Sequence, residues 1–120
     1  MQALTKLFFS VIVVIFVQAG HIAWGSNVQL KQYSNGGIYE GEFLDGKQHG
    51  SGKYISADGY EYDGQWVNGS IEGFGTAKYS DGSTYTGNFK NSKPNGIGKL
   101  IFLNGGSYDG EWENGNFQGK

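Results

Sequence analysis

A chain of 120 residues with a formal net charge of -2, no cysteine, one proline and 22 glycines has the size of one domain, and it can form no disulfide, thiolate nucleophile or cysteine zinc site. All nine basic residues are lysines, so the guanidinium fork that favours phosphate recognition is missing, and nucleic acid is not an expected partner. Glycine is abundant, yet aromatics reach 16%, which fits neither a disordered linker nor a collagen-like chain.

At the N-terminus, Met1 to Lys6 carries one positive charge and no acid, and Leu7 to Val17 is apolar except for Ser10. This order reads as a secretory signal, with Val17-Gln18-Ala19 offering a cut after Ala19 and Ala23-Trp24-Gly25 a poorer one. A membrane-crossing helix needs about 20 mainly apolar residues, whereas this run has 11. The expectation is a hydrophobic N-terminal helix over residues 1–19 that is cleaved on export, a linker over 20–32, and a repeat array over 33–120 in a periplasmic or secreted protein. The alternative is an uncleaved segment that anchors the chain to a membrane.

Beyond the linker, Tyr39-Glu-Gly41-Glu-Phe43, Tyr62-Asp-Gly64-Gln-Trp66, Tyr85-Thr-Gly87-Asn-Phe89 and Tyr108-Asp-Gly110-Glu-Trp112 recur every 23 residues. Gly50, Gly73, Gly96 and Gly119 keep the same spacing, as do the turn pairs Asp58-Gly59, Asp81-Gly82 and Asn104-Gly105. Such a short period holds one supersecondary unit per repeat, which buries a core only against its neighbours; this predicts a β-solenoid-like array. Alternation within each Tyr-x-Gly-x-Phe/Trp segment puts both rings on one face with glycine between them, where it leaves room for a neighbouring ring.

The turn pairs fit either a two-residue type I′ loop or a three-residue loop ending in a left-handed glycine. With three residues, as in Ala57-Asp58-Gly59, Lys53 faces Asp63, Tyr54 meets Tyr62, Thr76 faces Thr86 and Lys99 faces Asp109. With two, Tyr54 faces Asp63 and Tyr79 leaves the aromatic face, so the three-residue register is the one predicted.

The run Gly46-Lys47-Gln48-His49-Gly50-Ser51-Gly52, preceded by Tyr39-Glu-Gly41-Glu-Phe43 and followed by Asp58-Gly59, resembles a MORN repeat, and the resemblance covers residues 33 to 120. It implies an all-β, elongated, single-layer antiparallel sheet of successive hairpins, used for protein contacts, self-association and, in some members, attachment to anionic phospholipid. Two departures stand out: Ser92 replaces an expected glycine beside Pro94, and the fourth unit stops at Gly119-Lys120, before its second strand is expected.

No catalytic residue, metal site or cofactor is expected, because His49, in the Gly46 to Gly52 loop, has no second histidine near it in the repeats. Glu40, Glu42, Asp63, Asp109 and Glu111 alternate outward along strands and read as a solvated face. The candidate binding surface is the aromatic face, Tyr39, Phe43, Tyr62, Trp66, Tyr85, Phe89, Tyr108 and Trp112, which a single-layer sheet is expected to leave only partly covered. A protein partner or a second copy is the first reading, the open C-terminal edge offering a further route to association. Contact of Lys90 and Lys93 with an anionic membrane is the alternative, and stacking of an envelope carbohydrate on Trp66 and Trp112 a second one.

Overall fold

The structure, a computed structural model, describes residues 28–119; the export segment read over residues 1–19, and residues 20–27 of the linker, lie outside the described residues. Nine strands follow: β1 Val28–Gln32, β2 Ile38–Leu44, β3 Lys47–Ile55, β4 Glu61–Val67, β5 Ser70–Lys78, β6 Thr84–Lys90, β7 Lys93–Ile101, β8 Ser107–Glu113 and β9 Asn116–Gly119. They pair in chain order in one antiparallel sheet, so each connection is a hairpin and the units lie side by side in an open sheet instead of coiling as a solenoid.

Two turn types alternate along this sheet. At one end, Asp45-Gly46, Asn68-Gly69, Asn91-Ser92 and Asn114-Gly115 all have positive φ at both residues, from 49° to 86°, which makes type I′ turns matched to the strand twist. At the other end, Ser56 N donates to Tyr60 O at 2.8 Å and Gly59 N to Ser56 O at 3.2 Å, closing the loop Ala57-Asp58-Gly59 with Gly59 at φ 101°. The same bonds join Tyr33 to Gly37, Tyr79 to Ser83 and Phe102 to Gly106. Lys53 therefore faces Asp63, Tyr54 faces Tyr62, Thr76 faces Thr86 and Lys99 faces Asp109, the register the three-residue loop predicts.

Three sequence expectations need correction. Residues 28–32, assigned to the linker, form β1 and pair with β2. The Gly46 to Gly52 segment is not a loop: Lys47–Ile55 is a strand interrupted by a bulge, since Gly41 pairs with Gly52 but Phe43 already pairs with Gln48. Left-handed Gly50, Gly73 and Gly96, with φ of 68°, 89° and 100°, absorb the extra residues at equivalent bulges. Finally, the fourth unit does begin its second strand, as the four residues of β9.

The core is one layer of rings on one face. Phe43, Tyr39, Trp66, Tyr62, Phe89, Tyr85 and Trp112 touch in that order, with centroids 5.0 to 5.4 Å apart and planes 79° to 88° to each other. Edge-to-face pairs of this kind add roughly 0.5–1.5 kcal/mol each beyond the area they bury. Such gains offset the glycine-rich backbone, which costs about 0.5–1 kcal/mol per glycine relative to alanine.

Glycine makes the layer geometrically possible. A Cβ on Gly52, Gly75 or Gly98 would lie 2.2, 2.3 or 2.0 Å from the hydroxyl oxygen of Tyr39, Tyr62 or Tyr85, so each tyrosine ring lies across the glycine of the next strand. The phenol then donates to the carbonyl three residues on, Glu42, Gln65 or Asn88, at 2.7, 2.9 and 2.9 Å. Trp66 and Trp112 donate their indole N–H to Gly52 O and Gly98 O at 3.0 and 2.9 Å, so the polar atoms of these rings are satisfied inside the layer.

Candidate functional site

The ring face forms the floor of an open groove of about 1030 Å³. Trp66, Ile71, Tyr85 and Trp112 lie along its floor. One wall comes from the three-residue-loop ends, where Tyr33, Tyr54, Tyr60, Tyr79 and Phe102 stand half-buried; the other comes from the type I′ end, with Gln48, Ser92, Lys93, Pro94 and Asn114. The two walls arise from the turn alternation itself: every repeat unit brings one turn to each rim.

Along the aromatic wall the rings pair loosely. Tyr60 and Tyr79 lie 5.7 Å apart at 46°, and Tyr33 and Tyr54 lie 6.4 Å apart at 58°. Burial pushes the Tyr60 phenol up to about 12 and raises Tyr33 and Tyr79 as well, so these hydroxyls stay neutral donors at any physiological pH. Asp81 accepts from the Ser83 hydroxyl at 2.7 Å and the Ser83 amide at 2.8 Å, bonds that hold its carboxyl below the usual range. Gln48 Nε2 donates to the Tyr33 phenol at 2.6 Å. Apolar ring edges with a few fixed polar groups therefore line the groove, a composition suited to holding another molecule's side chains.

The sequence-predicted aromatic residues divide in two. Tyr39, Tyr62 and Tyr85 are 0% exposed, and Trp66, Phe89 and Trp112 are 4% to 7% exposed, so the expectation that they are only partly covered is corrected: the rings cover one another. Phe43 is half-buried against Tyr39, and only Tyr108, at 49%, is widely exposed. The faces of Trp66 and Trp112 are consequently not free platforms. The wall residues Tyr33, Tyr54, Tyr60, Tyr79 and Phe102 were missed as site residues because they occupy different repeat positions from the Tyr-x-Gly-x-Phe/Trp segments. The register already put Tyr54 and Tyr79 on the ring side, and this was the available signal.

Lys90 and Lys93 do come together: they are register partners across the Asn91-Ser92 turn, both exposed, with Lys93 on the groove rim. Glu40, Lys53, Asp63, Thr76, Thr86, Lys99 and Asp109 form one cross-strand row on the face opposite the rings. Among the described residues, no group of three or more His, Asp or Glu side chains gathers in one place. His49 sits in β3, its Nδ1 buried and without a hydrogen-bond partner among the described residues.

An open sheet of hairpins, locked by Tyr39, Tyr62 and Tyr85 each lying across a glycine of the next strand and grooved on its ring face, defines a repeat protein. The family model for the MORN repeat matches residues 39–59, 62–84, 85–107 and 108–120, and the chain belongs to that family.

Proposed function

We infer that the protein is a non-catalytic binding module whose groove receives a polypeptide segment of a partner protein. The observation that carries this reading is the wall of half-buried Tyr33, Tyr54, Tyr60, Tyr79 and Phe102 above a floor whose rings are already satisfied. A segment laid along the groove meets tilted ring edges and neutral phenols, the surfaces on which aromatic and aliphatic side chains gain most at protein interfaces. A carbohydrate platform is less well supported, since sugar stacking needs open ring faces and those of Trp66 and Trp112 are covered. The composition of the N-terminal segment supports export to the periplasm or beyond as the setting.

Site-specific photocross-linking in the native cell tests this. A benzophenone side chain at Tyr60 or Tyr79 is expected to trap one protein partner, and the same group at Phe74, 60% exposed on the opposite face, is expected to trap none. Cross-linking from Phe74 alone, or from none of the three, overturns the reading.

The second reading, contact with an anionic membrane, rests on the adjacency of Lys90 and Lys93. Two lysines contribute on the order of 1 kcal/mol each at such a surface, which gives weak attachment that salt abolishes. Sedimentation with vesicles containing phosphatidylserine at low and high salt checks it; no co-sedimentation at either removes it.

A further inference from the structure

The groove on the ring face runs across the strands, along the row of repeats, because its two walls are the two turn ends of the sheet. Its lining therefore recurs once per repeat. Ile71 and Pro94 hold one repeat position, 23 residues apart, and Tyr79 and Phe102 hold another. Each repeat contributes two strands, so such features return about every 9.6 Å, twice the usual spacing between neighbouring strands.

We propose that the segment held in this groove is a polyproline II helix from a proline-rich stretch of the partner, laid across the strands with one apolar side chain per turn on the floor. The proposal rests on the groove reading above and names the kind of polypeptide the groove takes.

Pitch is the first support. A polyproline II helix completes a turn in three residues and rises about 9.3 Å in doing so, so its turns stay in step with the repeats along the groove. An α-helix advances about 5.4 Å per turn and a β-strand about 6.7 Å per pair of residues, and neither brings the same face back at each repeat. In the polyproline II form, a side chain three residues on from one above Ile71 arrives above Pro94.

Hydrogen bonding is the second. The floor is a sheet face, whose backbone groups pair within the sheet, so it offers an extended strand no ladder to join. The amides of such a strand find no backbone acceptors there, whereas proline has no amide to satisfy. The carbonyls of a polyproline II helix have no internal donors and need outside ones. The aromatic wall supplies them. The hydroxyls of Tyr54, Tyr60 and Tyr79 have no hydrogen-bond partner among the described residues, and none of these oxygens is a buried orphan, so they open on the groove. The Tyr33 hydroxyl accepts from Gln48 Nε2, which leaves its own proton for an outside carbonyl. Lys93 adds an ammonium donor on the opposite rim, and Asp81 on the aromatic wall already accepts from Ser83. Tyr60 and Tyr79, tilted at 46° and 5.7 Å apart, give proline rings the aromatic edges on which such helices pack.

Fluorescence anisotropy on the purified full chain tests this with labelled peptides of about twelve residues, roughly four turns of the helix. One repeats Leu-Pro-Pro, one has the same residues in an order that breaks the three-residue spacing, and one alternates Leu and Ser. The first is expected to bind about tenfold more tightly than either of the others, a difference of about 1.4 kcal/mol. Tyr60→Phe and Tyr79→Phe keep the rings and remove one donor each, so each is expected to weaken that binding about three- to tenfold. Phe74→Ala, on the opposite face, is expected to leave it unchanged. Circular dichroism matching the wild type shows that the variants fold, and Tyr54→Phe replaces either tyrosine variant that does not. Equal affinity for the first two peptides overturns the proposal, as does Leu-Pro-Pro binding that no tyrosine variant weakens. Tighter binding of the Leu-Ser peptide that still weakens in Tyr60→Phe overturns it while the groove reading stands. Absence of binding by all the peptides overturns it too, and the groove reading is then decided by the cross-linking from Tyr60 and Tyr79.

Discussion

At the residue scale, the arrangement that specifies this sheet is one ring across one missing side chain. A methyl group at Gly75 would lie 2.3 Å from the Tyr62 hydroxyl oxygen and 2.6 Å from two carbons of the same ring, the three atoms nearest to it.

 The clash is thus with the ring itself, which is held at both ends and has no free side to move into. Gly75→Ala is therefore expected to cost about 1–3 kcal/mol, the usual range for overpacking. Gly46→Ala meets nothing within 4 Å and is strained only by its φ of 79°, at about 1 kcal/mol. Urea unfolding of the two variants separates the terms; equal losses would mean that the ring contact contributes nothing. Ionisation tests the same layer. Burial pushes Tyr39 and Tyr85 from 10.0 up to about 12 and moves Tyr62 the same way, so the neutral phenol is the form the fold holds. The stability this contributes is complete below pH 10 and is lost as the pH rises through about 12. Phenolate absorbance from these three rings is expected to rise together with loss of the aromatic circular dichroism signal, and not before it.

At the element scale, much of the sheet was legible because strand faces and turn residues repeat together. The three-residue loops followed from requiring Tyr79 to share a face with Tyr85, and the structure has that register. The type I′ end was harder to read. Its glycines look like parts of a longer loop until the bulge is known, because the bulge lets Gly50 sit in a strand with left-handed φ. The groove wall was hidden for a related reason: its tyrosines flank the three-residue loops and do not recur in every unit, as Ser56 and Phe102 show at the positions of Tyr33 and Tyr79. Ser92 shows how one unit compensates for a departure. It holds φ 65° without being glycine, and its hydroxyl accepts from Ile71 N at 3.1 Å while its own amide donates to Ile71 O at 3.0 Å. One unit later Gly115 donates to Pro94 O, and Pro94 has no amide that needs an acceptor. Ser92→Ala keeps the strained backbone and loses the hydroxyl, an expected cost of about 1 kcal/mol. Ser92→Gly trades the lost bond for relief of strain and is expected to stay within about 0.5 kcal/mol of the wild type. Thermal unfolding of both variants checks the pair.

At the scale of the whole molecule, backbone pairing joins each strand only to its sheet neighbours and the rings reach one strand further, from β2 to β4, β4 to β6 and β6 to β8, so stability is a sum of unit terms and terms between adjacent units. The ring layer makes those terms unequal. Tyr62 is flanked by Trp66 and Phe89, and Tyr85 by Phe89 and Trp112, whereas Tyr108 at the C-terminal end is half exposed. Opening the array from an end breaks one junction, but opening it in the middle breaks two, so the ends should open first. Hydrogen exchange in dilute solution is expected to be slowest in β4, β5 and β6 and fastest in β1 and β9. Equal protection across all nine strands in dilute solution would mean that the sheet opens as one cooperative unit, and that coupling beyond adjacent repeat units holds its ends.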